Sequence, residues 1–426
     1  MERRKNWAGN YQYSTNNWHV PETVEEVQQL VSSIKKLRVV GSRHSFNSIA
    51  DSTENMISLQ KLNKVISIDR EKQTVTVEAG IKYGELCPVL QQHGYALHNL
   101  ASLPHISVAG AIATATHGSG NDNQNLAAAV RAMEVVTADG SIVTFSKEKS
   151  EDELHGAVVG LGGLGVVTKL MLDVHPSHQM RQDVYENLPF AQLDQHFNSI
   201  FSSAYSVSLF TDWQDETFNQ VWLKSKWTDD QTFSLGEEFY GAKAAKESLH
   251  PVPGVGAENC TAQLGVPGNW LDRMPHFRMD FTPSKGQELQ SEYIMDRKHA
   301  YDALCALSEI REHIAPHLLT SEVRTIAQDH LWLSPSYQED SVAFHFTWHD
   351  RWEDVQQVLP LIEAQLEPFQ AKPHWGKLFT TSPAKIQALY EKMPAFQKLL
   401  MKYDPNGKFR NAYLNKYVFN EVTQKC

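Results

Sequence analysis

Apolar and polar residues alternate at two periods through the first 176 positions. Lys64–Asp69 and Gln73–Glu78 alternate at a period of two, with Val75 and Val77 set against Thr74, Thr76 and Glu78. Charged residues (Arg70, Glu71, Lys72) separate these runs, so the pair predicts a β-hairpin. Met133–Phe145 predicts a second hairpin around Asp139-Gly140, a dipeptide suited to a tight turn. Gly165–Val174 is a further strand. Helical spacing marks Pro21 to Ile34, with acidic residues in its first turn, then Tyr83 to His93, stopped by Gly94, and Glu151 to about Gly160. Strands dominate this half without the regular βαβ alternation of a Rossmann sheet.

After Val174-His175-Pro176 the pattern changes. Aromatic residues become frequent (Phe210, Trp213, Phe218, Trp222, Trp227), and Ala204–Asp212 and Asn219–Lys226 predict strands. Gly241–Gly268 is irregular and longer than a usual connection, which suggests a functional loop or lid. Three later runs, Leu289–Ile294, Leu318–Ile326 and Val342–Trp348, carry polar residues at i and i+2. Residues two apart share a strand face. Gln290 therefore projects with Glu292, Glu322 with Arg324, and His345 with Thr347, while Phe344, Phe346 and Trp348 take the opposite face. Such faces are either the solvated halves of antiparallel strands or a hydrogen-bonding floor. Helical patterns over Arg297–Ile314 and Trp352–Phe369 separate the strands; Tyr301–Leu307 and Tyr390–Tyr403 read as core helices. The expected organisation is α+β, with units at 1–176 and 177–403 and a C-terminal segment at 404–426.

Composition excludes more than it selects. The 426 residues are 41% hydrophobic and 21% charged, globular values for roughly two or three domains. No apolar run is long enough to cross a bilayer, and basic Met1–Trp7 lacks the apolar stretch of a secretory signal. Cys87, Cys260, Cys305 and Cys426 have no CxxC or zinc spacing, so no metal site is expected and a reducing cytoplasm fits. A net charge of −11 argues against nucleic acid as a partner. Nothing fixes an oligomeric state, and a monomer is compatible.

Two small-residue stretches carry candidate chemistry. Val39-Val40 suits a buried strand, and Gly41-Ser42-Arg43-His44-Ser45 follows abruptly. A positive-φ turn at Gly41 would aim several backbone N–H groups into one anion-binding concavity. Taken alone, the loop reads first as a strand–turn with a surface histidine. Ala101–Gly120 is nearly uncharged and rich in small residues, which lets a flat or phosphorylated ligand approach the backbone. Gly160-Leu-Gly-Gly-Leu-Gly165 opens the next strand; no P-loop or dinucleotide fingerprint is present.

These motifs occur in one order: Gly-Ser-Arg-His-Ser-Phe, Leu-Pro-His-Ile-Ser-Val-Ala-Gly…Thr-His-Gly, Thr-Ala-Asp-Gly and Gly-Gly-Leu-Gly-Val-Val-Thr. Together they resemble the FAD-binding (PCMH-type) half of the vanillyl-alcohol-oxidase flavoprotein family. Within it the chain is most similar to alditol (xylitol) oxidases, with sugar-lactone oxidases as near relatives. The resemblance implies a two-domain fold with a mixed-sheet substrate (cap) domain. It implies FAD bound by Gly41, Ser42, Arg43, His44 and Ser45, with an 8α-histidyl bond through His44. Ser102, Ser107, Gly110, Thr114, Ala115, Thr116, His117 and Val166 would line the flavin. The chain departs from the pattern at Arg43, where many members have a small residue.

The same resemblance puts substrate contacts at Ser102, Gln290, Glu322, Arg324, Thr347 and Lys377, with His345 beside them. A neutral polyol has few apolar atoms, so fixed donors and acceptors must orient it. The expected reaction oxidises a terminal CH2OH of an alditol such as xylitol or sorbitol to the aldose, with O2 reduced to H2O2. Lys377 would accept the hydroxyl proton, tuned by His345, and Arg324 would stabilise developing alkoxide charge. Three alternatives stand beside it: a sugar-1,4-lactone oxidase, a dehydrogenase with another electron acceptor, and a flavin-binding protein without turnover.

Overall fold

In the computed structural model, which describes residues 4–228, 236–279 and 287–421, the first-half strands form two main sheets. Met1–Arg3 and Cys426, named above, lie outside the described residues. Met56–Ser58 runs parallel to Trp18–His19 on one side and Arg38–Val40 on the other. The second sheet is antiparallel, in the order Val65–Asp69, Thr74–Glu78, Val166–Asp173, Val130–Val136, Ile142–Ser146. Its buried Val75, Val77, Val135 and Leu170 share a core with Leu86 and Leu90 of helix Tyr83–Gln92 and with Leu154 of helix Lys147–Val158. Each such side chain contributes about 1.5–3 kcal/mol by leaving water. Helix Tyr83–Gln92 starts where the Glu85 carboxylate reaches back to accept from the Lys82 N–H (3.0 Å) and ends before Gly94, whose φ is +81°.

The chain returns to this first core earlier than residue 404. Ile386, Tyr390, Met393, Phe396 and Leu400 already pack in it, followed by Tyr413, Leu414 and Val418. Phe409 joins Leu37, Ile57 and Val166 in a neighbouring cluster, and the Leu37 N–H bonds to Lys408 O at 3.1 Å. Buried Arg38 fastens the return: its guanidinium donates to the carbonyls of Leu161, Gly162, Phe409 and Ile49.

The second half is built on one large sheet. Its long strands lie in the order Gln179–Pro189, Thr217–Trp227, Ser206–Thr211, Leu318–Ile326, Ser341–His349, Glu288–Asp296. All these neighbours pair antiparallel, where a mixed sheet was expected; the alternation reveals strands but not their direction. Strand Gln179–Pro189 and helix Gln192–Phe201 were not anticipated. The helix expected over Arg297–Ile314 breaks into 3₁₀ turn Arg297–His299 and helices Ala300–Ser308 and Arg311–Ile314. One sheet face, with Leu209, Val323, Phe344, Phe346 and Trp348, shares a core with Leu304 and Leu307 of helix Ala300–Ser308 and Val355 and Leu359 of helix Trp352–Leu366. The opposite face carries the polar residues.

Candidate active site

The site begins where strand Arg38–Val40 stops. The left-handed residue of the following turn is Arg43 (φ +65°) and not Gly41. Gly41 is needed for a different reason: a Cβ there would run into Ser107 Oγ. Ser42 and Ser107 lock the two segments together. The Ser107 N–H donates to Ser42 Oγ at 2.9 Å, and the Ser42 N–H donates to Ser107 Oγ at 3.2 Å. His44 Nδ1 is 3.0 Å from Ser42 Oγ, and Trp7 stacks on the imidazole at 5.1 Å and 19°. Burial pushes His44 down to about 4, so it is neutral at pH 7, and its buried Nε2 has no partner. Arg43 points outward, its Nη1 donating to Lys5 O at 3.2 Å.

Two adjoining cavities meet at this loop and share Val40–Ser45, Ser107, Gly110 and Thr114 as a common wall. The larger, about 1230 Å³, runs over the first unit past Gly162 and Gly165 and is edged by His105 and by Arg4, Lys61 and Lys82, cations suited to a diphosphate. The other, about 580 Å³, opens over the polar face of the second-half sheet. A long dinucleotide with a flat ring at one end fits this pair. The features that admit it are the wall without side chains at Gly41 and Gly110 and the unpartnered nitrogen of His44.

The smaller cavity gathers Gly41–Ser45, Ser102, Ser107, Gly110, Thr114, Thr116 and His117 with Gln290, Glu322, Arg324, His345, Thr347 and Lys377. Ala115 and Val166 do not line either cavity. Ala115 is in the first core, and Val166 packs with Leu37 and Ile57; the neighbours Gly165 and Val167 face the cavity instead. In strand Val166–Asp173 a one-residue offset reverses the face, so the Val166 side chain turns into the core.

The sheet register builds the polar floor. His345 sits between Glu322 on one neighbouring strand and Glu292 on the other. Glu322 and Arg324 are only 3% and 5% exposed, so they are no surface pair. Glu292 is the hub. Its Oε1 accepts from Arg324 Nη2 at 2.7 Å, and its Oε2 accepts from Lys377 Nζ at 2.7 Å. His117 Nε2 lies 3.4 Å from the same carboxylate. Burial alone would raise the Glu292 carboxyl, but Lys377, His117 and Arg324 hold it well below the usual carboxylate range. Lys377 Nζ is also 2.8 Å from His345 Nδ1, and His345 Nε2 is 3.0 Å from Thr347 Oγ1. Burial and the Arg324 charge lower Lys377, against Glu292. Burial, with Lys377 beside it, keeps His345 neutral. The floor is thus a lattice of opposed charges: two carboxylates, a guanidinium, an amine and the neutral imidazole of His345.

The Lys377 segment is fixed by backbone. The His374 N–H donates to Glu292 O at 3.0 Å, the Leu378 N–H to Gln290 O at 2.9 Å, and the Phe46 N–H to Gly376 O at 2.8 Å. Asn47 Nδ2 donates to Trp375 O and Lys377 O. Sequence reasoning placed Glu292 on this face without a role, and it gave none to His276, His374, Lys224, Arg38 or Trp7. Only Glu292 had a signal, its i+2 spacing from Gln290.

A family model described as FAD binding domain matches residues 19–146, and one described as D-arabinono-1,4-lactone oxidase matches residues 281–417. The chain is 48% identical over 412 residues to alditol oxidase of a Streptomyces species, covering 96% of this chain and 97% of that protein. It is 28% identical to mouse L-gulonolactone oxidase, covering 97% and 98% of the two chains. In fold it is similar to cholesterol oxidase of B. sterolicum (TM-score 0.77, 13% identity, 98% and 96% covered) and to the carbohydrate oxidase of Microdochium nivale (TM-score 0.76, 15% identity, 97% and 94% covered).

Proposed function

Because the chain belongs to the FAD-linked oxidoreductase family of alditol oxidase, we propose that it oxidises the terminal hydroxyl of alditols such as xylitol and sorbitol to the aldose, with O2 reduced to H2O2. The observation that carries this reading is the group of buried Glu292, Glu322, Arg324, His345 and Thr347 with half-buried Gln290 and Lys377, opening on the cavity that also holds His44. It offers many fixed donors and acceptors with little net charge, which is what a neutral polyol requires.

FAD, held here, would supply the hydride acceptor and the redox chemistry with O2. The protein's own groups do the rest. Gly41–Ser45, Ser107, Gly110, Thr114, Thr116 and His117 hold the cofactor, and neutral His44 is the residue joined to it. An imidazole can form such a bond only with an unprotonated nitrogen, and burial keeps His44 in that state. Ser102, Gln290, Glu322 and Thr347 orient the polyol. Lys377 takes the hydroxyl proton: an amine serves as base only in its neutral form, and burial with Arg324 favours that form. His345 Nδ1, 2.8 Å away, can share the proton. Arg324 stabilises the oxygen as it gains negative charge.

The family match over residues 281–417 keeps a sugar-1,4-lactone oxidase as second reading. Steady-state H2O2 release from xylitol, sorbitol and an aldonolactone in air separates the two. Alditol turnover with kcat/KM well above that of the lactone is expected; the reverse order overturns the assignment. Bleaching of the flavin by xylitol under anaerobic conditions without H2O2 in air would identify a dehydrogenase. We further place the protein in the cytoplasm, since Cys87, Cys260 and Cys305 are free thiols. A monomer suffices, because one chain supplies every group named.

A further inference from the structure

On the same sheet face as the polar floor, two strands along, lies a buried relay that no step above uses, with His276 on the cavity wall. Lys224, on strand Thr217–Trp227, is 1% exposed. Its Nζ donates to Met274 O at 2.7 Å and Pro275 O at 2.8 Å and lies 3.1 Å from His276 Nδ1. Burial pushes the Lys224 amine down to about 7, and the proton on His276 is placed by its other partner: Nε2 faces the Glu322 carboxylate, which is held ionised and only accepts. Nδ1 of His276 is therefore the acceptor, and the proton of the neutral imidazole sits on Nε2. That Nε2–H donates to Glu322 Oε1 at 2.8 Å. Phe210 and Trp222 hold the ring edge-on, at 5.6 Å and 5.2 Å. Burial pushes His276 down to about 4, which keeps the imidazole neutral although Glu322 pulls the other way.

The relay leaves Glu322 asymmetric. Oε1 is taken by His276, while Arg324 Nε stays 3.6 Å from Oε2, beyond hydrogen-bond length. An ionised carboxylate only accepts hydrogen bonds, so Oε2 is free to accept from hydroxyls that enter the cavity. Without the Nε2–H, the carboxylate would lose the contact that selects its rotamer, and Arg324 could draw it sideways.

We propose that Lys224 and His276 are positioning residues for substrate selection: through a fixed imidazole tautomer they hold Glu322 with one oxygen open to the hydroxyls next to the reacting carbon. This rests on the alditol-oxidase reading, and it assigns the discrimination for polyols to two residues outside the ring of substrate contacts. The relay acts on binding and not on proton removal, because neither residue reaches Lys377 except through Glu322.

The test uses flavin-loaded wild type, H276L, H276Q and K224M. Loss of a hydrogen bond to a charged group predicts a KM for xylitol about tenfold higher or more in H276L, exceeding any fall in kcat. The amide of H276Q can still donate to Glu322 and should return KM to within about threefold of wild type. A merely structural pin predicts instead equal damage in kcat and KM, loss of bound flavin, and no rescue by Gln; any of these overturns the proposal, as does an unchanged KM in H276L. Nitrogen-15 spectra of histidine-labelled holoenzyme give a second readout. His276 should show the Nε2–H tautomer in wild type, with its Nδ1 resonance moving downfield in K224M, where the donor to that nitrogen is gone; an Nδ1–H tautomer in wild type, or an Nδ1 shift unchanged in K224M, refutes the relay even where the kinetics move. Wild-type enzyme that releases no H2O2 from xylitol refutes the alditol reading, while the tautomer readout still decides the relay.

Discussion

Replacing Glu292 by Gln deletes the central charge of the lattice while keeping its shape. The residue is 1% exposed and bonds to Lys377 and Arg324 at 2.7 Å each. Removing one member of a buried ion pair costs about 3–5 kcal/mol, because the partner charge stays buried without compensation. The amide oxygen retains one acceptor, so about 3 kcal/mol is expected. With about 2.1 cal/mol/K of unfolding entropy per residue, a 426-residue chain unfolding as one unit melts about 3 °C lower. The pH dependence tests the mechanism. Burial lowers Lys377, Arg324 adds to the effect, and Glu292 opposes both. In Glu292→Gln that opposition is gone, while Arg324, His117, His345, His374 and Glu322 still face the amine. Lys377 then deprotonates at lower pH, and the acid limb of kcat/KM for xylitol moves down in pH. A limb that stays put or moves up refutes Lys377 as the base. Stability gives an independent sign. Burial opposes ionisation of Glu292, yet its neighbours hold the carboxyl well below its ordinary value of 4.5. Such a group stabilises fully above its unfolded pKa, and that share is lost as pH falls through about 5 toward its folded value. Wild type should therefore lose stability on acidification by more than the variant does, in thermal melts between about pH 6 and pH 3.

Other outcomes follow from the same geometry. Lys377→Met should lower the anaerobic rate of flavin reduction by xylitol by about 10²- to 10⁴-fold, with the flavin still bound, and wild-type-like reduction would falsify its role. Acid precipitation of wild type should leave a yellow pellet, and His44→Ala should release all flavin to the supernatant; a colourless wild-type pellet rules out the covalent bond. Gly41→Ala should weaken cofactor retention, because its methyl meets Ser107 Oγ, the group that accepts from the Ser42 N–H. Equal flavin content after gel filtration would dispose of that argument.

Much of the fold was legible because burial leaves a period in the sequence. Strand Thr74–Glu78 and helix Tyr83–Gln92 fall within a residue of the positions their alternation predicts. Strand Gln179–Pro189 was hidden because Gln182 occupies one of its fully buried positions, so a polar residue interrupts the apolar series. The faces of Gln290, Glu322, Arg324, His345 and Thr347 were legible for the same reason as the strands. What they do to one another was not. Glu292 acts through Lys377, 85 positions along the chain. His276 acts from an irregular segment whose only structure is the contacts it makes. Gly41 was rightly singled out, but for the wrong freedom: it makes room for Ser107, and the unusual torsion is carried by Arg43, whose side chain points outward where its size costs nothing.

That last observation explains why a bulky cation is tolerated beside His44, and it connects the loop to the rest of the site. Arg43 O accepts from the Trp7 N–H at 2.8 Å, and the Asn6 and Asn10 amides donate to Ser45 O and Phe46 O. The loop is held on its outer side by residues 6–10 and on its inner side by Ser107 and by the Phe46–Gly376 bond. From Gly376 the hydrogen bonds continue through His374 and Leu378 to the backbone of Glu292 and Gln290. His44 and Lys377 are thus placed by one backbone ladder that crosses between the two cores. Relative placement of cofactor and base within about half an ångström is what orientation-dependent catalysis demands. Side chains alone would not secure it, since His44 and Lys377 belong to segments far apart in the chain; the ladder does, and it leaves the side chains free to be specialised for charge.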